Sequence, residues 1–538
     1  MPTRSGPGAG LRSVIRPTSD CLRGPRLFLY GAVGLILLVT VVRAAVCFSN
    51  DTWVDHPAGV IIAMAADLKD GIFYRPLYGP DGYGGTRYFP LYFVLEALLL
   101  KLGVAVLPSA YLVSAAAVAG LLIGVFYLLR GLGAAPWLAA CSSGAVLAAA
   151  SAQMALLNPH GDGLASALNV CGLAVLVRPK VTHRTVLLAS VLFTLAWSAK
   201  LNMVFGFAAA FTWLLAEGSR RVAWELGAET CSGCLLVAGV MIVASQGRIL
   251  EVFKACAFGG ATRTLMMLAP LHVWLIASRA DRGLVLFFFL ALFALVAELF
   301  SRPAKFLQNL PVVLFITTTV VTIVIFGSPG VVANHLVDMQ VASVVLFTAW
   351  VVQVASARQR QIGICALALA TIVAAVPLLH KLMVWDGRFR PHRFQRVLAK
   401  IEDKQKPILA ENPIVPVLAG QRTYVLDAWM LRMLRERIPN FGEPLLDGLR
   451  QRAFGAVVLS VANPQTPRAR MWYTWSDFGP GFLPALLENY RLGATVEDQL
   501  VYVPIANRSQ EGGPSHESQQ GNERLLHDSA AGTSSTNR

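Results

Sequence analysis

Long apolar runs recur between residues 27 and 384, separated by short breaks that are basic or contain Gly and Pro. A helix needs about 20 residues to cross the hydrocarbon, and somewhat shorter runs also serve. On that measure spans are predicted at 27–48, 109–129, 135–157, 163–177, 184–199, 203–217, 231–246, 283–300, 310–327, 339–357 and 361–384. Runs 88–103 and 265–278 each read as a short span, a re-entrant segment or a surface helix. From about residue 386 the pattern becomes that of a soluble domain. Pro407–Glu411, Thr423–Asp427 and Phe454–Ser460 predict short buried strands, with helices expected at Ala428–Arg437 and Pro484–Tyr490. Such alternation predicts a small α/β domain. The last segment, 508–538, is rich in Ser, Gly, Asn and Gln and is expected to be disordered. The expected organisation is therefore a basic N-terminus at 1–26, a transmembrane domain at 27–385, an α/β domain at 386–507 and a tail at 508–538. The fold class that follows is a polytopic α-helical membrane protein with about 11–13 transmembrane helices and a small C-terminal α/β domain.

Composition agrees. Hydrophobic residues make up 55% of the chain and charged residues only 14%, where a soluble protein carries roughly a quarter. The net charge of +15 does not point to nucleic acid, because it sits in short clusters beside apolar runs and no recognition helix or zinc-finger spacing accompanies it. With the N-terminus inside, Arg130, Arg178, Lys180, Arg184, Arg220, Arg221, Arg302, Lys305, Arg358 and Arg360 fall in inner loops, which is the positive-inside pattern. Arg279 and Arg282 do not fit it. The run after Arg26 is too long for a typical signal peptide and lacks a clear cleavage site, so an uncleaved first span is expected. Cysteines lie mostly inside apolar runs, as small core residues do, and Cys231-Ser-Gly-Cys234 lacks the second pair that a metal site would have.

Polar residues in a membrane protein carry the functional signal. The first outer loop, 49–87, holds Asp51, Asp55, His56, Asp67, Lys69, Asp70, Arg75, Asp81 and Arg87, and Pro57–Asp70 has the period of an amphipathic helix. Asn158-Pro-His160-Gly-Asp162, Lys200 with Asn202, and Asn334-His335 with Asp338 fall on the same expected side. The middles of the spans are almost purely apolar. A channel would line its pore with polar groups and a proton-coupled transporter would bury acids mid-span, so the pattern points to an enzyme at the outer membrane surface.

Three stretches carry a family resemblance: Val54-Asp55-His56-Pro-Ala-Gly, Ala65-Ala-Asp-Leu-Lys-Asp-Gly71-Ile-Phe-Tyr74 and Tyr88-Phe-Pro-Leu-Tyr92. Together they resemble the first outer loop of bacterial GT-C glycosyltransferases, the polyprenyl-phosphate-sugar-dependent enzymes of the protein mannosyltransferase and aminoarabinose transferase group. Gly161-Asp162-Gly-Leu-Ala-Ser-Ala-Leu is similar to that family's second acidic loop, Ala199-Lys200-Leu-Asn202 to its Lys-containing outer turn, and Val332-Ala-Asn334-His335-Leu-Val-Asp338 to its Asn-Tyr-Phe-Leu-Glu stretch. The family commonly has Asp-Glu where this chain has Asp55-His56, which weakens any role needing two adjacent acids.

The resemblance implies transfer of a sugar from a polyprenyl-phosphate donor to a glycan, lipid or protein acceptor, at the outer face of a bacterial inner membrane. It implies a carboxylate base for the acceptor hydroxyl, assigned to Asp55 with Asp51 second. It also implies cations for the leaving phosphate: Lys200, His335 and Arg87, with His160 behind them. His56, Tyr88, Tyr92, Asp162, Asn202, Asn334 and Asp338 are the expected substrate contacts. No cofactor is required, and a divalent metal is permitted by the carboxylates. Each residue has a plainer reading: Asp55 and Asp162 can simply cap helices, Lys200 can snorkel at a helix end, and Tyr88 and Tyr92 suit an interfacial belt. The alternative function is a transporter or flippase for a lipid-linked sugar, which predicts repeats and broken helices at mid-membrane.

Overall fold

The computed structural model describes residues 22–51, 54–178, 180–256, 262–328, 331–384, 392–460 and 466–506. Residues 1–21 of the basic N-terminus and the tail 508–538 lie outside the described residues. α1 (Arg23–Asn50) leads into an outer loop holding α2 (His56–Lys69), the tight hairpin β1 (Tyr78–Gly79) and β2 (Gly82–Tyr83), and α3 (Pro90–Lys101). The bundle continues through α4 (Val106–Gly131), α5 (Pro136–Ala145), α6 (Ala150–Leu157), α7 (Gly161–Leu176), α8 (His183–Ala199), α9 (Phe205–Ala216) and α10 (Arg220–Ala244). Then come α11 (Arg248–Cys256), α12 (Arg263–Ala280), α13 (Arg282–Ser301), α14 (Leu310–Ile325), α15 (Val337–Gln353) and α16 (Ala357–Val384).

Each of the strongly apolar runs is mainly helical. Among the described residues six helices are long and apolar enough to cross a membrane: α1, α4, α10, α13, the Ala333–Gln353 segment containing α15, and α16. Residues 136–148, α7, α9 and α14 form shorter apolar helices. Leu235, Val243, Phe293 and Phe300 point outward from α10 and α13; so large an apolar surface is stable only against lipid. The chain is a multi-pass membrane protein.

Three local expectations need correction. The 135–157 run is not one helix. It breaks at Val146–Ala148 into a 3₁₀ turn, and Ala149 turns extended before α6. Asp281 holds that break by accepting from the backbone N–H of Ser151 at 2.7 Å and from the Ser151 hydroxyl. Pro57–Asp70 does form a helix, but not an amphipathic surface one: nine residues of α2, from Ala58 to Asp67, are buried. The helix is roofed by the C-terminal part of the chain, where Asn412 and Ile414 touch Gly59. The third is Thr423–Asp427, described with the sheet below. Of the ambiguous runs, 88–103 becomes the short α3, and 265–278 becomes α12, a continuous helix that contains Pro270 and lies outside the six candidate spans.

The C-terminal part begins with α17 (Arg393–Leu398), β3 (Ile408–Ala410), α18 (Ile414–Leu418), α19 (Ala428–Arg435), α20 (Glu443–Arg450) and β4 (Ala456–Leu459). It closes with α21 (Pro467–Met471), a π-helical turn at Trp472–Ser476, α22 (Phe482–Asn489), β5 (Tyr490–Val496) and β6 (Gln499–Pro504). The sheet runs β3-β4-β6-β5, with β3 parallel to β4 and the other pairs antiparallel. Thr423–Asp427 is not a strand of it. Val425 makes one parallel bridge to Tyr83 of β2 instead, with Tyr83 N–H donating to Tyr424 at 2.7 Å and Leu426 N–H to Tyr83 at 2.9 Å. The segment is spent on joining the C-terminal part to the outer loop.

That joint is polar as well. Arg75 grips Asp67 with two hydrogen bonds of 2.6 Å and also donates to the Thr423 carbonyl at 2.5 Å. Arg422 reaches Asp81 at 2.9 Å and Asp67 at 3.6 Å. Asn412 donates to the Val54 carbonyl at 2.8 Å, one residue before Asp55. The outer loop is thus clamped between bundle and C-terminal sheet, which fixes where α2 begins.

Candidate functional site

Asp55 is the N-cap of α2. Its Oδ1 accepts from the Ala58 N–H at 3.0 Å, and Pro57 in the first turn suits a helix start. The capping reading is therefore correct, but it is not the whole account. Oδ1 also meets His160 Nε2 at 3.0 Å, and Oδ2 accepts from the Asn158 side-chain amide at 2.9 Å. Burial alone would raise this carboxyl; the charge and hydrogen bond of His160, the Ala58 N–H and His56 together hold it below the usual carboxylate range. The side chain stays 35% exposed, so the ionised carboxylate is accessible from outside.

His160 is buried in the turn between α6 and α7. Burial would lower its pKa, but Asp55, by charge and hydrogen bond, and Asp162 raise it. Its Nδ1 lies 4.0 Å from Asp162 Oδ2, so the imidazole links two carboxylates. Asp162, in the first turn of α7, is the hub of the second group. It pairs with Lys200 Nζ, accepts from Asn334 Nδ2 at 3.1 Å and lies 3.9 Å from His335 Nδ1, which in turn contacts Lys200 Nζ at 3.1 Å. Gly161 makes this possible: a Cβ there would meet the Ala199 carbonyl at 2.6 Å, so only glycine lets the start of α7 approach the end of α8, where Lys200 follows.

The structure thus joins Asp55, His160, Asp162, Lys200, Asn334 and His335 in one chain of contacts, drawn from four loops. The Tyr88 phenol belongs beside it. Burial raises its pKa, with Asp427, Asp55 and Asp162 all within electrostatic reach. Arg87 stacks over the Trp429 ring at 4.3 Å, at the joint with α19. Asp338 is one step removed, bonded to Ser166 of α7, and Asn202 lies in the turn after Lys200 with a buried Oδ1 that has no hydrogen-bond partner.

Two expected residues stand apart. Asp51 caps α1 in a left-handed conformation with φ 55°. Burial pushes its carboxyl up to about 6 against His392 and Arg393. Tyr92 is fully buried, its hydroxyl donating to the Ala110 carbonyl at 2.8 Å and meeting Ser114 Oγ at 2.7 Å; Ser114 then donates to the Asn158 carbonyl at 3.2 Å. Tyr92 is connected to the site only through that backbone.

His56 explains the departure from an Asp-Glu pair. Its ring turns away from Asp55 and meets Asp427 of the C-terminal part at 3.4 Å. Burial would lower its pKa, yet Asp427, Asp477 and Glu411 raise it to about 9. Glu411 is itself held by Trp472, Tyr473 and the Ser460 N–H at 2.8–3.0 Å. Asn158, Asp427, Asp477 and Glu411 were not singled out from the sequence as site residues. Asn158 carries a signal, its place in the polar loop before His160; the three acids carry none, since His56, the residue they act on, is hundreds of residues away in the chain.

No protein-family model matches the chain, and no curated protein matches it. Solved structures do match. ArnT from Cupriavidus metallidurans bound to undecaprenyl phosphate aligns at 13% identity and TM-score 0.51, over 91% of this chain and 99% of that one. The Archaeoglobus fulgidus oligosaccharyltransferase AglB, in complex with an inhibitory peptide and a dolichol-phosphate, aligns at 10% identity and TM-score 0.52, over 90% and 75%. Both are GT-C glycosyltransferases, and the chain has their fold.

Proposed function

We propose that this protein is a membrane glycosyltransferase that moves a sugar from a polyprenyl-phosphate donor to an acceptor hydroxyl at the extracytoplasmic face, with Asp55 as the general base. The observation that carries the proposal is the placement of Asp55: ionised, a third exposed, and joined through His160 to the Asp162–Lys200 ion pair at the same end of the bundle. The named partners of the matching structures, undecaprenyl phosphate and dolichol-phosphate, support the donor class. A bacterial inner-membrane location with the N-terminus cytoplasmic belongs to the same reading.

In this reading the acceptor oxygen attacks the anomeric carbon while Asp55 takes its proton. The bond from that carbon to the phosphate oxygen breaks, the electron pair leaves with the polyprenyl phosphate, and the configuration inverts. Lys200, backed by Arg87, meets the phosphate charge. His335 does not serve as the expected cation, because its Nδ1 accepts from the Lys200 ammonium at 3.1 Å and the neutral ring has only its Nε2–H to offer the phosphate. Asp162 holds Lys200 in place, and Asn158 and His160 fix the Asp55 oxygens. Tyr88 and Asn202 face the sugar. The polyprenyl tail stays in hydrocarbon, which is why the enzyme is built from spans. The polar groups gather at one end of the helices rather than at mid-membrane, which favours transfer over transport.

The test is transfer of radiolabelled sugar from polyprenyl-phosphate donors in membranes, wild type against Asp55→Asn. Asparagine caps helices as well as aspartate does, so the protein should accumulate normally. General-base loss costs about 10²–10⁴-fold. Transfer at wild-type rate by Asp55→Asn would remove Asp55 from the mechanism.

A further inference from the structure

At the opposite end of the bundle a second group of ligating side chains comes together. His183 is the first residue of α8, and Glu225 and Glu229 lie one turn apart on α10. His183 Nδ1 is 2.5 Å from Glu225 Oε1 and 3.4 Å from Glu229 Oε1, and one ligand atom from each residue falls within 4.8 Å of the others. Among the described residues no other His, Cys, Asp or Glu trio is this tight.

We propose that His183, Glu225 and Glu229 form a binding site for one divalent transition-metal ion, zinc foremost. The donor set, one imidazole nitrogen and two carboxylates, suits borderline divalent ions. The spacing fits too. Ligand atoms about 2.1 Å from a tetrahedral ion stand about 3.4 Å apart, the separation of His183 and Glu229. His183 is 69% exposed, so its ring is free to open the shorter Glu225 contact by the remaining fraction of an ångström.

Two further observations point the same way. Ser190 Oγ, buried on α8, donates to Glu229 Oε2 at 3.1 Å, leaving Oε1 turned toward the imidazole. An outer hydrogen bond that fixes one carboxylate oxygen and presents the other is how metal sites orient their ligands. In addition, Glu225 and Glu229 repel one another at this helical spacing, on a helix whose apolar face meets lipid. Both carboxylates face the His183 imidazole. Without an ion, a protonated His183 offsets that repulsion; a divalent ion that takes the place of the Nδ1 proton carries the larger charge and ties α8 to α10. Because α8 has 17 residues, about 25 Å at 1.5 Å per residue, the ion would anchor one end of the helix whose other end precedes Lys200.

The proposal does not depend on glycosyl transfer. The full-length protein, purified in detergent and stripped with a chelator, is titrated with Co²⁺ while its visible absorption is followed, then with Zn²⁺ as competitor. One equivalent with a low-coordinate Co²⁺ spectrum, displaced by Zn²⁺, is expected for wild type and for Asp55→Asn. The double variant Glu225→Gln/Glu229→Gln should bind at least tenfold more weakly. Absence of binding by wild type overturns the proposal whatever the variants do. Equal binding by the double variant, or loss only in Asp55→Asn, overturns it as well, the latter by placing the ion at the outer site.

Discussion

Replacing His160 with Ala probes the link on which the site depends. The substitution removes one hydrogen bond to an ionised carboxylate, at 3.0 Å, and leaves those from Asn158 and Ala58. Hydrogen bonds to charged groups contribute about 1.5–3 kcal/mol; because Asp55 is a third exposed and partly screened, the lower end applies. About 1.4 kcal/mol of misorientation is a tenfold rate loss, so transfer should fall about tenfold near neutral pH. There is a second signature. His160 helps hold the Asp55 carboxyl below its ordinary range, so without it the acid limb of the pH–rate profile moves upward. Initial transfer rates from pH 4.5 to 8.5, at saturating donor, read both effects. A variant with a lowered rate but an unmoved acid limb would refute the claim that His160 tunes Asp55 and leave it a packing residue.

Lys200→Gln leaves Asp162 buried beside His335, His160 and Asn334; the donor KM should rise and the protein should lose about 3 kcal/mol, the lower end for breaking a buried pair, as followed by thermal unfolding. An unchanged donor KM would take Lys200 out of phosphate binding. Arg75→Met strands the buried Asp67 with only Arg422 at 3.6 Å, so a loss of about 3 kcal/mol is expected, and limited proteolysis should show the C-terminal part loosened from the outer loop. Stability should also depend on pH through His56, whose folded value of about 9 exceeds the unfolded 6.5. The stabilisation is full below about pH 6.5 and is lost as pH rises through about 9. Asp477, pushed up to about 8 by burial, works in the same direction because its ionisation in the folded protein is resisted. Unfolding temperatures of wild type and His56→Gln between pH 6 and 10 should converge at the alkaline end; parallel curves would show that the His56–Asp427 contact carries no such linkage.

Much of this protein is written locally. Spans follow from runs of apolar residues because backbone polar groups in lipid must be satisfied within one helix, and that requirement leaves little freedom. The start of α2 was legible for a similar reason: Asp55 followed by Pro57 is a helix start wherever it occurs. The gathering of polar loops at one end followed from counting spans, and so did the company of Asp55 with His160, Asp162, Lys200 and His335. The pairings themselves were not legible. That His160 contacts Asp55, that Lys200 spends its charge on Asp162, and that His56 turns toward Asp427 depend on how helices pack. The close approach of α7 and α8 at Gly161 has no local signature. The same holds for what was misread. Thr423–Asp427 has a strand's composition, but it pairs with the hairpin at Tyr83 and not with the sheet. The hairpin β5–β6 leaves little trace in the sequence because a register shift between Leu492 and Ala494, around Gly493, spoils the alternation of β5. Local sequence decides which segments are helices and which ends they share, because those energies are paid within a few residues. Which charge meets which is decided by contacts across tens to hundreds of residues, and these exist only once the chain has folded.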